Sequence, residues 1–600
     1  MLPHKAFGQD LICKMMQLKM LVMLLFILSI VYSGVFTLLA FAIIGSSDLS
    51  QARTLVLAKI ISPILPGTNL SFRGKDGSTL SASAITICRS PTLKKTLRKS
   101  IPKFLLTALL SLPVYALFPL IVKRYKKLEK NRQIPKHLEG SKLLEPIEFK
   151  ALIEFKYSNC FLPFGGWYDD KKGYHQIRFP VALENSHIGI FGSTRSGKTV
   201  MMSQMLHSLR KRGDIAFILD QKGDYLPMFY DPEKDHVLNV LDERCANWIF
   251  WNDLIRDNQL LRQAELETVA AGLIPDGKEG AERFFCDAAR AVLVGLLISL
   301  DRQQKHTYSD LWAAVNQPRD NMAQALADIN HRGHVYISEP GKQSQGVIST
   351  LMQYSRVFEY AAILDRKKDD VFTLDDWLLK GEGFLYLANY DAIRETLSPM
   401  LTMFLNFAAK KILSGRENVT GRRIWFFLDE FGSLHKISSL LDILTRGGSK
   451  GVCVVLATQD RGQIEDAYGR NLTDAVFNSC NSWAALRCKD PATARLAVDR
   501  AGEWRFQRQE ESVTDKIDDG GDSVNISKRI HREKLMLDSQ IMGQDPLEAY
   551  VHVDGCQLAH LEINKIIYEQ KHPAFLPVTG MDLQILNKTN QSQIKEDIGV

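Results

Sequence analysis

Residues 187–212 read HIGIFGSTRSGKTVMMSQMLHSLRKR, and this stretch decides the fold. His187-Ile188-Gly189-Ile190-Phe191 is a short apolar strand candidate. The loop Gly192-Ser193-Thr194-Arg195-Ser196-Gly197-Lys198-Thr199 follows, and a helix-like run comes next. A full G-x-x-x-x-G-K-T between a strand and a helix is a phosphate-binding loop. Its glycines let successive N–H groups converge on phosphates, and the helix N-terminus adds the positive end of its dipole. Gly192 to Thr199 are therefore the expected nucleotide-binding residues. Lys198, expected to be exposed in the loop, reaches the β- and γ-phosphates, and the Thr199 hydroxyl ligates Mg²⁺. ATP and Mg²⁺ are the cofactors this loop implies.

Outward from the loop, the chain alternates strand-like and helix-like segments. Ile215–Leu219, Phe384–Leu387, Ile424–Leu428 and Val452–Leu456 are short, turn-bounded apolar runs, as buried parallel strands require. With helical stretches such as Met400–Leu413 between them, the pattern is α/β, a sheet covered on both faces. From about Trp251 to Trp377 strand signals vanish and Ala288–Leu300 and Ser344–Phe358 read as helices, which predicts an inserted all-α domain. The run Trp425-Phe426-Phe427-Leu428 ends in Asp429-Glu430, a carboxylate pair expected beside the loop at the C-terminal edge of the sheet. Asp429 is expected to hold Mg²⁺ through its water shell, and Glu430 to polarise the attacking water. Val452 to Ala457 ends in Thr458-Gln459, and Gln459 is placed to contact the γ-phosphate or that water. Asp220-Gln221-Lys222-Gly223-Asp224 ends another strand and fits equally a place near the site or a solvated turn.

The composition is that of a globular protein, with 45% hydrophobic and 24% charged residues. The 29 Phe, 17 Tyr and 8 Trp exclude global disorder, and nine cysteines without a CxxC exclude a disulfide scaffold or a zinc ribbon. A net charge of +7 over 600 residues says little about partners. The extremes are N-terminal. Met20 to Ser47 carries no charge, and Phe104 to Val122 is a second uncharged run just long enough to cross a bilayer. The reading is a membrane anchor over residues 1–135, with spans at about 20–44 and 102–122 and an extracytoplasmic loop at about 45–100. Lys123, Arg124, Lys126, Lys127, Lys130 and Arg132 follow the second run as a cytoplasmic flank. An ATP site must face the cytosol, so two spans place both termini and the ATPase domain inside.

At this point the residues resemble a family. GSTRSGKT, DQKGDY followed by HVLNVLDERCANW, FFLDEFGSL, and LLDILTRGGSKGVCVVLATQ are similar to the coupling proteins of type IV secretion and conjugation, TraD-like and TrwB-like ATPases. The similarity runs over roughly residues 180 to 560. It implies a RecA-like nucleotide-binding domain over residues 136–250 and 378–575, the all-α insertion over 251–377, and a polar tail over 576–600. It further implies a homo-hexamer at the bacterial inner membrane. Such a ring hands single-stranded DNA with its attached relaxase, or protein substrates, to the type IV secretion channel. Lys198 and Thr199 match the family's Walker A pair, Asp429 and Glu430 its Walker B pair, and Gln459 the glutamine of its third motif; these are the expected catalytic residues. The family often carries G-R-x-x-G before the third strand, with an arginine that reaches a neighbouring subunit's nucleotide. Here Gly448 stands at that place, leaving Arg446 or Arg487 as the trans-acting candidates.

Two functions follow from these residues. One is a motor that drives DNA or nucleoprotein into a channel; the other is a nucleotide-responsive docking receptor for protein effectors. A chromosome translocase of the FtsK type lacks its usual extra spans, long linker and terminal winged helix in this sequence. His331 and His334 read as surface residues. Glu510 to Lys534 reads as a mobile polar loop.

Overall fold

The computed structural model describes residues 7–110, 123, 136–277, 280–366, 371–389, 394–415, 422–433, 436–514 and 523–578. The chain divides into two compact units, residues 1–136 with 506–530, and residues 137–505 with 531–600.

The larger unit is built on one mixed sheet. Its strands in chain order are β1 (Cys160–Asp169), β2 (Gly173–Pro180), β3 (Ile188–Phe191), β4 (Ile215–Asp220), β5 (His236–Val237), β6 (Phe384–Ala388), β7 (Ile424–Asp429), β8 (Val452–Thr458), β9 (Ser482–Leu486), β10 (Glu548–His552) and β11 (Leu558–Glu562). In space they run β2-β1-β11-β10-β9-β3-β8-β7-β4-β6-β5, with the short Leu143–Leu144 beside β11. From β9 to β5 every neighbour is parallel; β10, β11, β1 and β2 continue the sheet antiparallel.

The apolar runs form strands because both faces of this sheet are covered. Side chains alternate between two cores with period two. Ile215, Phe217, Leu219, Phe426, Leu428, Val452, Val454 and Leu456 enter one core. Ala216, Ile218, Trp425, Phe427, Cys453, Val455 and Ala457 enter the other, with Met201, Met202, Met205 and Leu206 of helix α1 (Lys198–Arg212). The helices expected between residues 251 and 377 are present, among them Gln259–Leu273, Ala281–Arg302 and Lys342–Ser355. Their buried residues belong to the same core as one sheet face. Phe217 stacks on Phe426 at 4.5 Å and meets Trp377 edge-on at 4.9 Å. These helices thus take their hydrophobic support from the sheet and, among the described residues, have no separate core. The segment also holds the short strand Val371–Phe372, paired with Asn247–Trp248.

Register levels the strand ends. Phe191 pairs with Thr458, Asp429 with Ala457, and Leu428 with Leu219. The C-terminal ends of β3, β8, β7 and β4 therefore lie along one edge. The sequence reading set the Asp429 strand beside the phosphate loop; β8 lies between them. At about 4.8 Å per strand, β7 stands about 10 Å from β3 and the tip of β8 fills the interval.

His187 closes the opposite end of β3. It is 1% exposed and adopts a left-handed φ of 62°. Its Nε2 donates to the Leu444 carbonyl at 2.8 Å, and its Nδ1 accepts the Val454 N–H at 3.2 Å. This ring ties helix α2 (Leu440–Arg446) to β3 and β8. Burial lowers its pKa from 6.5 to about 4. The unfolded chain takes up a proton near 6.5 and the folded one only near 4, so His187 favours folding above that window and the benefit is lost as pH falls through it. The expected loss is on the order of 3 kcal/mol. Melting curves of detergent-solubilised protein between pH 7 and 4 check this: His187→Gln should show a shallower acid slope than wild type.

The smaller unit begins with helix Phe7–Ile44, which contains the apolar stretch Phe26–Ile44, long enough to cross a membrane. It is the one such helix among the described residues. The second expected span leaves the described residues at 111, and the basic cluster lies outside them from residue 124. Beyond Ile44 come helix Ser46–Ile61, the antiparallel hairpin Asn69–Arg73 and Thr79–Ser83, helix Ala84–Arg89 and a helix over 91–110. Leu55, Ala58, Ala84, Ile87 and Leu93 form its small core.

One expectation is corrected. The segment read as a mobile loop, Glu510 to Lys534, lies partly in two paired strands, Glu503–Thr514 and Ser523–Lys534. Its polar composition hid them, because a strand is held by backbone pairing whatever its side chains. Of the polar tail expected over 576–600, residues 576–578 are described and lie against the body. The Leu576 N–H donates to Asp242, and the Val578 N–H to the Leu241 carbonyl.

Candidate functional site

The phosphate loop joins β3 to α1, where sequence placed it. Two of its residues have positive φ, Arg195 at 60° and Gly197 at 119°. At Gly197 a Cβ would come within 2.9 Å of Leu547 Cδ2, and at Gly192 within 2.6 Å of Ser196 Oγ. Gly197 needs glycine for backbone shape and for space, and Gly192 for space. The loop is braced by its neighbours. The Gly192 N–H donates to the Thr458 carbonyl at 3.1 Å, and the Ser193 N–H to the Arg487 carbonyl at 2.8 Å. Ser193 Oγ donates to the same carbonyl and accepts the Lys489 N–H. Thr194 and Arg195 are exposed at the loop's tip.

Lys198 is not exposed as expected; it is 6% exposed. Its Nζ donates to the carbonyls of Gly192 at 2.6 Å and Ser193 at 3.2 Å. Burial lowers its pKa while the charges of Asp429 and Glu430 raise it. The ammonium is thus held inside the concave side of the loop by the loop's own oxygens. Thr199 follows it on the first turn of α1 and is half-buried.

At the end of β7, Asp429 Oδ2 accepts a hydrogen bond from the Tyr225 hydroxyl at 2.8 Å. Burial raises the Asp429 carboxyl above its ordinary value; the Tyr225 hydrogen bond and the charges of Lys198 and Lys222 oppose this. Glu430 has a φ of 56°, a left-handed turn that points the chain away from the strand. Its Oε1 accepts from Gln459 Nε2 at 2.7 Å, and its Oε2 pairs with Lys222 Nζ at 2.7 Å. Gln459 therefore sits against the carboxylate that the sequence reading expects to polarise water.

Lys222 and Tyr225 belong to the turn left open by the sequence. Asp220, fully buried at the end of β4, accepts the N–H groups of Asp224, Tyr225 and Leu226 at 2.8, 3.0 and 2.8 Å. Burial raises its pKa to about 6. Three backbone donors on one carboxyl fix the turn, and this aims Lys222 at Glu430 and Tyr225 at Asp429. Sequence reasoning missed both roles, although the position at a strand's C-terminal edge was the available signal.

The residues fit a magnesium nucleotide. Ser196 Oγ is buried without a protein partner, and the loop backbone at Gly192 and Gly197 is bare of side chains. Thr199 and Asp429 supply the oxygens a hard divalent cation takes. The trans-arginine candidates part company. Arg487 lies at its own chain's phosphate loop, where its carbonyl holds Ser193. Arg446 ends α2, whose Leu444 meets His187 at the opposite edge of the sheet.

Residues 173–564 match the family described as type IV secretion-system coupling protein DNA-binding domain. The chain belongs to that family. It is 26% identical over 371 residues to the coupling protein TraD of Escherichia coli (strain K12), which covers 61% of this chain and 50% of TraD. It is 22% identical over 354 residues to the conjugal transfer protein TraG of Escherichia coli, covering 53% of this chain and 54% of TraG. The chain thus spans about half the length of these relatives. The conjugative coupling protein TrwB superposes with a TM-score of 0.62 at 22% identity, covering 74% of this chain and 96% of the TrwB chain. TrwB has been solved with ADP and Mg²⁺ and with a non-hydrolysable ATP analogue. For this coupling protein the likeness establishes the shared α/β fold.

Proposed function

We propose that this coupling protein is an ATPase of the bacterial inner membrane that drives relaxase-bound single-stranded DNA, or protein substrates, into a type IV secretion channel. The observation that carries the reading is the line of groups along one sheet edge: Lys198 in the loop, Asp429 at the end of β7, and Glu430 joined to Gln459. Lys198 and the loop N–H groups bind phosphates, and Thr199 and Asp429 would hold Mg²⁺, which would offset charge on the phosphate oxygens. Glu430 takes the proton of the attacking water. Gln459 orients Glu430 and reports on its partner through β8.

The site is completed by a neighbouring copy in a hexameric ring, with Arg446 as the arginine acting in trans. Its place at the edge opposite its own phosphate loop supports this, since a finger for a neighbour must leave its own site. The apolar helix stretch Phe26–Ile44 supports membrane anchoring; the two-pass topology with both termini in the cytoplasm rests on the second uncharged run of the sequence, Phe104 to Val122. The mixed-charge body, at +7 overall, requires that DNA-binding basic groups be concentrated along a pore or near the membrane.

The test is a salt titration of oligonucleotide binding to detergent-solubilised full-length protein, with ATPase rates measured in parallel. A phosphate-dominated contact gives a slope of about −0.7 per neutralised phosphate in log affinity against log salt. Steep salt dependence with DNA-stimulated hydrolysis is expected. A flat response without stimulation would overturn the motor and leave the effector-docking receptor.

A further inference from the structure

Lys222 lies in the DQKGDY stretch and is the residue of this site to which the sequence reading gives no role. It sits in a turn that cannot easily rearrange. Asp220 anchors the turn's three N–H groups, and Gly223, with φ 71°, packs so closely on Ala574 that a Cβ would lie 2.7 Å from the alanine methyl. The segment bearing Ala574 is itself tied down, its carbonyl and that of Pro573 accepting from Arg244. The backbone is fixed, while the lysine side chain is 43% exposed and free to swing. Its Nζ meets Oε2 of Glu430, which follows Asp429 at the end of β7, so the ammonium stands at the sheet edge that carries the phosphate loop.

Its partner, the Glu430 carboxylate, is the group whose oxygen must be open to take a proton from water. A half-exposed ion pair of this kind is weakened by solvent. A terminal phosphate offers the lysine more negative charge and three strong acceptor oxygens in place of one carboxylate. The weaker partner yields to the stronger.

We infer that Lys222 is a second phosphate-binding cation of this site, one that exchanges Glu430 for the terminal phosphate of a nucleoside triphosphate. The exchange has two consequences. It distinguishes triphosphate from diphosphate, since ADP has no group at that end to draw Lys222 away. It also frees Glu430 Oε2 only when a substrate is present, so the carboxylate is uncovered in step with ATP binding. The inference rests on reading the site as an ATP site.

The experiment measures equilibrium binding of a non-hydrolysable ATP analogue and of ADP, each with Mg²⁺, to full-length protein in detergent. Lys222→Met is expected to weaken the analogue about tenfold or more, the worth of one hydrogen bond to a charged group. ADP affinity should stay within about twofold, the scale of a change that touches no ADP contact. Lys222→Arg, which keeps the charge, should restore most of the preference. Glu430→Gln releases the lysine and should tighten the analogue but not ADP, and should do neither when combined with Lys222→Met. Equal changes for both nucleotides, or none, in Lys222→Met overturn the inference and make the pair purely structural. If that variant fails to fold, the Glu430→Gln arm decides, and an unaltered analogue affinity there overturns it. Wild-type protein that binds neither nucleotide would instead defeat the ATP-site reading itself, and the inference with it.

Discussion

Lys198→Ala should abolish nucleotide binding and hydrolysis while the fold survives. Its ammonium is enclosed in the loop and donates to the Gly192 and Ser193 carbonyls. Removing it leaves two acceptors short of a donor, at about 1 kcal/mol each, but also removes a charge whose desolvation opposed folding. These effects offset, so the melting temperature should move by no more than a few degrees. Nothing offsets the loss at the phosphates. A cation seated in a water-poor loop supplies several kcal/mol to phosphate oxygens, so turnover should fall at least about 100-fold. Fluorescent-nucleotide binding and ATPase rates on the same preparation check both halves. Hydrolysis above a tenth of the wild-type rate would remove Lys198 from the phosphate-binding role.

Glu430→Gln should separate binding from chemistry. The substitution keeps shape and a hydrogen-bonding oxygen for Gln459, and leaves Asp429 held by Tyr225. Phosphate and metal contacts persist, so nucleotide is retained. Only proton acceptance is lost, and a positioned general base is worth about 10²–10⁴ in rate. Single-turnover hydrolysis should slow by that factor, and gel-filtered protein should carry unhydrolysed ATP. A variant that turns over within threefold of wild type would place water activation on another group.

The phosphate loop was legible because everything that makes it is contiguous. Gly192, Gly197, Lys198 and the first turn of α1 follow one another, and local backbone geometry alone shapes the cradle. Asp429 and Glu430 were legible for a related reason. A five-residue apolar run that stops at two carboxylates has its end at the sheet edge whatever its neighbours are. The paired strands Glu503–Thr514 and Ser523–Lys534 were not legible, since their polar side chains carry none of the hydrophobic signal on which strand reading depends.

What the sequence by itself determined, then, is the α/β alternation, the phosphate loop and the acidic end of β7, all products of short-range pattern. The tertiary structure alone decided the order of the strands, which sets β8 between β3 and β7 and brings Gln459 against Glu430. It decided that helices 251–377 share a core with the sheet, through contacts such as Phe217 with Trp377. It decided the burial of Lys198 and of His187. And it brought Tyr225 to Asp429 across 204 residues of chain, and Lys222 to Glu430 beside it. Such pairs are chosen by which strands lie side by side, and strand order is a property of the packed sheet that no local run of residues encodes.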